Sequence, residues 1–429
     1  MCNYLDLSRL FNTRRLLLSL VLIACISIST SFGLESENIN WNVLHPEQSP
    51  PPVDSLSLVY SPTDEVAFTF GGVIDIDQVP SEYEYGIPRT ISDSNITWIY
   101  QIATNQWISR VDENQPKGRR YAAMSSNFNR NEILMFGGWS AGVIGDTWIY
   151  NLANGEWMEI ISEIAPDPRY TEVVFDTRRQ VSFLFSGWTG EDRPGDSWYF
   201  DHEQQNWVQL QPINSPPGRN VHALAYDEKY DKIILYGGYD GVEGLTDTWT
   251  YDWSKNTWTN QEPKSHPTSH NGAKMVYVAS IGKVVLFGGR THHNKIGTVW
   301  YNEIWIYDYS LNLWEEVEIS DTTIPSLSDF GMTYDRLNNR ILIFGGRNDA
   351  LEWPYRDNEL YSITFTPNKN GYTYIGSKGP ISDSKPSDQS GQSSSFSATN
   401  FPFRLSTMII TIVVLNKTRK TLVIKSRTI

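Results

Sequence analysis

Cysteine is almost missing from this 429-residue chain: there are two, Cys2 and Cys25, both in the N-terminal leader. Once that leader is removed the chain has no thiol. That excludes disulfides, a thiolate nucleophile and a cysteine-held metal. Positive charge is also in deficit. The chain has 35 Lys and Arg against 49 Asp and Glu, a formal charge of −14, which argues against nucleic acid or an acidic membrane as a general partner. No segment shows a long helical period of apolar residues, so the chain reads as all-β. The two apolar runs, Leu16 to Ile28 and Leu405 to Leu415, are both short of the ~20 residues that a spanning helix needs. There is no GxSxG, no HExxH and no phosphate-cradling glycine loop.

What is present is a repeat. An aromatic residue followed by two glycines recurs about every 50 residues: FTFGG ending at Gly72, LMFGG at Gly138, ILYGG at Gly238, VLFGG at Gly289 and LIFGG at Gly346. The third unit has LFSG, with Ser186-Gly187 in place of the doublet. The glycine positions are thus Gly71, Gly72, Gly137, Gly138, Gly237, Gly238, Gly288, Gly289, Gly345 and Gly346. A second signature follows each of the first five: TWIYQIATNQW, TWIYNLANGEW, SWYFDHEQQNW, TWTYDWSKNTW and IWIYDYSLNLW. In each an aromatic residue precedes a tryptophan by seven positions, giving Trp107, Trp157, Trp207, Trp258 and Trp314. A fixed period of this size marks a repeat architecture.

Each unit reads as four short strands. In the second they are YAAMSSN (121–127), EILMFGG (132–138), DTWIYNL (146–152) and EWMEIIS (156–162). β-Branched and aromatic residues fill the strands, and Asn, Asp and Gly break them at turn spacing. Glycine at the end of a second strand suits a sharp turn or a close backbone approach. Tyr and Trp supply apolar faces for the dry seam between stacked sheets.

These residues resemble the kelch motif over about residues 41 to 365. The resemblance implies a β-propeller with one four-stranded blade per motif. Six glycine signatures then imply six blades. The last unit lacks its tryptophan, since Tyr361 plus seven is Asn368, but INWNVLH supplies Trp41 near the N-terminus. The expected fold is therefore a six-bladed kelch-type propeller closed by pairing of its N- and C-terminal strands, which removes the open edge.

The chain divides on this reading into a leader (1–33), the propeller (34–368), a Ser/Gly/Pro-rich linker (369–404) and a short apolar and basic tail (405–429). Arg14-Arg15, the apolar run and Ser31-Phe32-Gly33 fit a cleaved secretory signal peptide; an uncleaved signal anchor is the alternative. Asn95-Ile96-Thr97 is a glycosylation sequon, and Asn416-Lys417-Thr418 a second. The tail reads as a disordered end, with membrane attachment as the other reading.

Candidate chemistry is sparse. The kelch propeller is also the core fold of galactose oxidase, whose cofactor needs a tyrosine crosslinked to a cysteine; a mature chain without cysteine disfavours that enzyme reading. Glu243 and Asp247 have the four-residue spacing of the iron ligands of plant nitrile specifiers, but Tyr251 stands where a histidine is required. His292-His293 lie in a long loop with no carboxylate or third histidine nearby in sequence. No metal or cofactor is expected.

A binding surface is better marked. Three first strands open with Pro-x-x-Arg: Arg119, Arg169 and Arg219, with His270 and Ser328 as the next equivalents. Trp139, Trp188 and Tyr239 follow the glycines of the same units. Placed together at the channel mouth, they form an aromatic and basic crescent that would read carboxylates, peptides or sugar faces. The alternative is structural: the three arginines neutralise Asp146, Asp196 and Asp247. The long acidic and aromatic stretch from Val73 to Ser94 is a further docking candidate. The expected function is a non-catalytic propeller that binds a protein or glycan partner in the secretory pathway or outside the cell.

Overall fold

The computed structural model describes residues 39–75, 91–268, 271–293, 297–317, 323–348, 351, 356–365, 411–414 and 423–426. The leader, the acidic segment 76–90 and the linker lie outside the described residues. The chain divides into two units, Met1–Tyr374 and Ile375–Ile429. In the second, Thr411–Val414 pairs antiparallel with Val423–Ser426.

The first unit holds six four-stranded antiparallel sheets among the described residues. Their innermost strands are Val59–Ser61, Ala123–Asn127, Tyr170–Asp176, Ala223–Asp227, Lys274–Val278 and Gly331–Asp335. Each inner strand adjoins the next, and the last returns to the first. The sixth sheet takes its outer strand from the other end of the chain. Ile39–Leu44 pairs with Leu360–Phe365, Trp41 opposite Ile363.

The repeated residues form the joints between sheets. The aromatic residue before each glycine pair packs against the outer-strand tryptophan of the following sheet. Ring centroids are 5.1 Å apart for Phe70 and Trp157, 5.0 Å for Phe136 and Trp207, and 5.1 Å for Phe185 and Trp258. Tyr236 and Trp314 are at 5.1 Å, Phe287 and Trp41 at 5.4 Å, and Phe344 and Trp107 at 4.7 Å. Six buried apolar clusters fill the junctions, one between each neighbouring pair of sheets.

The glycines make the second contact. The N–H of Gly72 donates to the carbonyl of Arg119 at 2.9 Å, and Gly138, Gly187, Gly289 and Gly346 donate likewise to Arg169, Arg219, Leu327 and Val53. Gly71 and Gly137 have positive φ, and a Cβ on either would stand 2.3 Å from the same incoming carbonyl. Only glycine admits a neighbouring backbone so closely. Ser186 occupies this place in the third sheet at φ 53°. A left-handed non-glycine residue costs on the order of 1–2 kcal/mol. Here the hydroxyl offsets that cost: it accepts from the Arg219 N–H at 2.7 Å and donates to the Arg219 carbonyl at 2.8 Å.

The outer tryptophans carry a third joint. The indole N–H groups of Trp157, Trp207, Trp258 and Trp314 donate to the hydroxyls of Thr97, Thr147, Ser197 and Thr248 at 2.9–3.0 Å. Those residues lie in the third strand of the preceding sheet, each opposite the aromatic residue before the glycines. Ile304 and Leu360 stand at the same register, opposite Phe287 and Phe344. The indole N–H groups of Trp41 and Trp107, which face them, are buried without a partner. A buried orphan donor costs about 1–3 kcal/mol. Threonine at position 304 should therefore find the Trp41 N–H. Thermal unfolding of Ile304→Thr and Ile304→Val checks this: Thr is expected to be the more stable variant, whereas in an ordinary apolar site it is the less stable one.

Candidate functional site

The loops between second and third strands, and those leading into first strands, share one face. Three residues before or at the start of each inner strand set its geometry. The first is the residue whose carbonyl meets the glycines: Val53, Arg119, Arg169, Arg219 and Leu327. Ser328 was expected to be equivalent to the arginines; Leu327, one residue earlier, holds that place.

Arg119, Arg169 and Arg219 are fully buried. Each guanidinium turns away from the channel, into its own sheet. Arg119 Nη2 donates to Asp146 Oδ2 at 2.9 Å, Arg169 Nη1 to Asp196 Oδ1 at 2.7 Å, and Arg219 Nη2 to Asp247 Oδ2 at 2.9 Å. The same groups donate to the carbonyls of Gly137, Ser186 and Gly237. The three aspartates also accept from Trp148, Trp198 and Trp249. Burial alone would raise the carboxyls of Asp146 and Asp247, but the arginine bonds hold both below the usual range. The expectation that these arginines face a ligand is corrected: they have no exposed surface, and each is ion-paired with the aspartate of its own sheet.

Trp139, Trp188 and Tyr239 do lie on the loop face, half-buried. Each bridges to the second residue of the strand entry, Arg120, Tyr170 and Asn220 respectively. Trp139 and Trp188 are 5.5 Å apart between centroids, Trp188 and Tyr170 5.5 Å, and Tyr170 stacks on Tyr121 at 5.0 Å. Arg193 covers the Tyr239 ring at 5.3 Å. This is a ladder of four rings over the second and third sheets, with a cation–π pair beside it.

The basic half of the face comes from residues that the sequence reading missed. Arg290 and Arg347 follow Gly289 and Gly346, the same position as Trp139, Trp188 and Tyr239. Reading the residue after every glycine pair in register (Val, Trp, Trp, Tyr, Arg, Arg) would have found them. Arg290 pairs with Asp329 and donates to Ser328 Oγ at 2.6 Å. Arg347 lies 3.4 Å from Asp54 and 3.7 Å from Asp329, and Arg356 lies 2.7 Å from Asp54. Both aspartates are buried. Burial would raise the Asp329 carboxyl, but Arg290 and Arg347 hold it below its ordinary value. Three guanidiniums thus meet two carboxylates, leaving one positive charge in excess at the channel mouth. The Tyr121 hydroxyl is raised, by burial first and by Asp329 second.

A circuit of backbone bonds fixes the mouth. Tyr121 donates to Ser55, Ser55 to Asp329, Asp329 to Gly272 and Gly272 to Val221, at 2.7–3.0 Å. Ser55, Tyr121, Val221 and Asp329 all have φ between 49° and 61°. Such strain persists only where surrounding structure over-determines it.

The other candidates are placed as follows. Val73–Asp75 pairs with Ile91–Asp93 and with Val53–Asp54. Both ends of the stretch expected as one loop are therefore strands. Asp93 accepts from Arg120 at 2.6 Å. His292 and His293 lie in a strand, Arg290–His293, paired with Gly297–Trp300, and His292 bonds Thr298 rather than a loop partner. Asn95 is exposed. Among the described residues no three His, Cys, Asp or Glu gather as metal ligands, and no helix is long and apolar enough to cross a membrane.

This arrangement is a sheet-ring scaffold presenting a shaped, mixed aromatic and cationic surface. Its sequence matches the kelch-repeats domain of KLHDC2, KLHL20 and DRC7 over residues 28–217, 86–289 and 173–401. The chain belongs to the kelch-repeat family, whose domains are generally protein-interaction propellers. It is also 27% identical to Mei4-dependent protein 6 of Schizosaccharomyces pombe over 134 residues, 30% of this chain and 19% of that protein. The chain thus spans about a fifth of the length of that curated relative.

His222 lies buried beneath the mouth, near Arg219 and Lys274, and neither ring nitrogen has a hydrogen-bond partner. Burial first, and those cations second, push it down from 6.5 to about 3. Between those values the unfolded chain takes up a proton that the folded chain refuses. Acidification from pH 6.5 towards 3 therefore removes stability, by up to ~1.4 kcal/mol per pH unit. Asp227, pushed up by burial to about 6, acts in the opposite sense between 6 and 3.8. Melting temperatures across pH 7 to 4 should fall less steeply in His222→Leu than in the wild type. Parallel curves would show that His222 titrates normally.

Proposed function

We propose that this chain is a non-catalytic interaction scaffold whose protein or glycan partner docks on the loop face. The observation that carries the reading is one repeat position. Directly after the glycines it supplies Trp139, Trp188 and Tyr239 on one side of the channel mouth, then Arg290 and Arg347 on the other. Half-exposed tryptophans packed against neighbouring rings give large contact area. Guanidiniums oriented by buried aspartates are pre-organised for a planar anionic group. The test is capture from the producing cells by the wild type and by Trp139→Ala/Trp188→Ala, with Ile161→Ala as an exposed control. The double variant is expected to weaken retention of a specific partner by ~30-fold or more. A partner retained equally by all three would place docking elsewhere. A glycan array run on the same proteins separates a sugar ligand from a protein.

We further propose export through the secretory pathway. The apolar run Leu16 to Ile28 behind Arg14-Arg15, the lack of cysteine beyond Cys25 and an exposed Asn95 in a sequon support this. Mass spectrometry of protein from medium and membrane fractions should find a chain beginning near Leu34 with glycan on Asn95. A chain beginning at Met1 in the cytosol would overturn export.

A further inference from the structure

The six inner strands enclose a cavity of about 190 Å³ on the axis of the ring. Glu172 and Lys274 stand at the loop-face ends of their strands and line that end of it. They form an ion pair, Nζ to Oε1 at 2.5 Å, that joins the third and fifth sheets past the fourth. Arg336 and Glu228 follow the opposite ends of their strands and pair at the far end, joining the sixth and fourth sheets. Between the two pairs the wall includes Met124, Leu224, Met275 and Met332. The Ser126 hydroxyl, also in this wall, is buried and has no hydrogen-bond partner.

We infer that this cavity binds a small zwitterion with an apolar body, a free amino acid in chemical class. Its ammonium pairs with Glu172, its carboxylate with Lys274, and its side chain lies along the methionine wall. The charge pattern selects the class. A simple anion would take Lys274 and strand Glu172; a simple amine would take Glu172 and strand Lys274. The pair is partly buried, with the Lys274 and Glu172 side chains 16% and 22% exposed, so leaving one member alone costs part of its desolvation. A ligand with both charges replaces one ion pair by two. The size agrees: an apolar cavity of about 150 Å³ holds a benzene-sized body. The thioethers of three methionines adapt to branched or linear side chains.

Calorimetric titration of the full chain with L-leucine and L-methionine tests this, with isocaproate and isoamylamine as the singly charged analogues. The amino acids are expected to bind saturably, one per chain, and each analogue at least about tenfold more weakly. Lys274→Met should lose affinity by a similar factor, while Arg336→Gln, at the far end, should keep it within about twofold. No saturable heat with either amino acid, or equal binding of an analogue, would overturn the proposal. If Lys274→Met does not fold, the analogue series on the wild type decides alone. Trp139→Ala/Trp188→Ala should bind the amino acids normally, which separates this site from the loop face.

Discussion

One backbone contact organises the molecule: the carbonyl at an inner-strand entry, received by the glycine pair of the sheet before it at five junctions among the described residues. It joins two sheets through main-chain atoms, so its geometry is independent of side-chain identity. That is why Arg119, Arg169, Leu327 and Val53 can all supply the carbonyl. The glycines are the constrained side, because a Cβ there would strike the incoming oxygen. With this spacing fixed, the aromatic residue before the glycines meets the next outer tryptophan at nearly the same separation in every junction. Ser186 illustrates the constraint by departing from it. A side chain is tolerated only because its hydroxyl bonds the very backbone that glycine would have admitted.

The same contact explains why recurrent arginines are structural here. A residue that offers its carbonyl across the junction has its side chain beside the third strand of its own sheet. There an aspartate, oriented by a tryptophan N–H two residues on, awaits a guanidinium. Breaking such a pair once it is buried is costly, and the carbonyls of Gly137, Ser186 and Gly237 add a further bond to each guanidinium. The face is left to positions beyond the joint, whose residues change character around the ring. Aromatic rings occupy them over the second to fourth sheets and guanidiniums over the fifth and sixth. The proposed docking positions and the joint thus use adjacent residues of one short segment.

Much of this was legible in the sequence, for physical reasons. The glycines, the tryptophans and the displaced strand at Trp41 are dictated by junction geometry, which repeats, so they repeat. The destination of Arg119 was not legible, because a guanidinium at a strand entry can reach either the channel or Asp146, and only the backbone direction decides. Arg290 and Arg347 escaped notice because attention to recurring residues passes over a position that changes character around the ring. The left-handed residues of the mouth carry no sequence mark either: Val221 and Tyr121 are poor candidates for positive φ, and tertiary bonding imposes it.

Two junctions lack the tryptophan-to-hydroxyl bond, and both border the sixth sheet, the one assembled from the two ends of the chain. During synthesis Ile39–Leu44 must wait for some three hundred residues before its partner, Leu360–Phe365, exists. Apolar contacts at those two junctions accept small errors of angle that a directional hydrogen bond would not. The fastening has moved to the rim, where Arg290, Arg347 and Arg356 hold Asp329 and Asp54 across the same two junctions. Any anion that settles at the mouth therefore shares counter-charges with the clasp of the ring. Occupancy of the surface and the grip between the chain's own ends are a single electrostatic account.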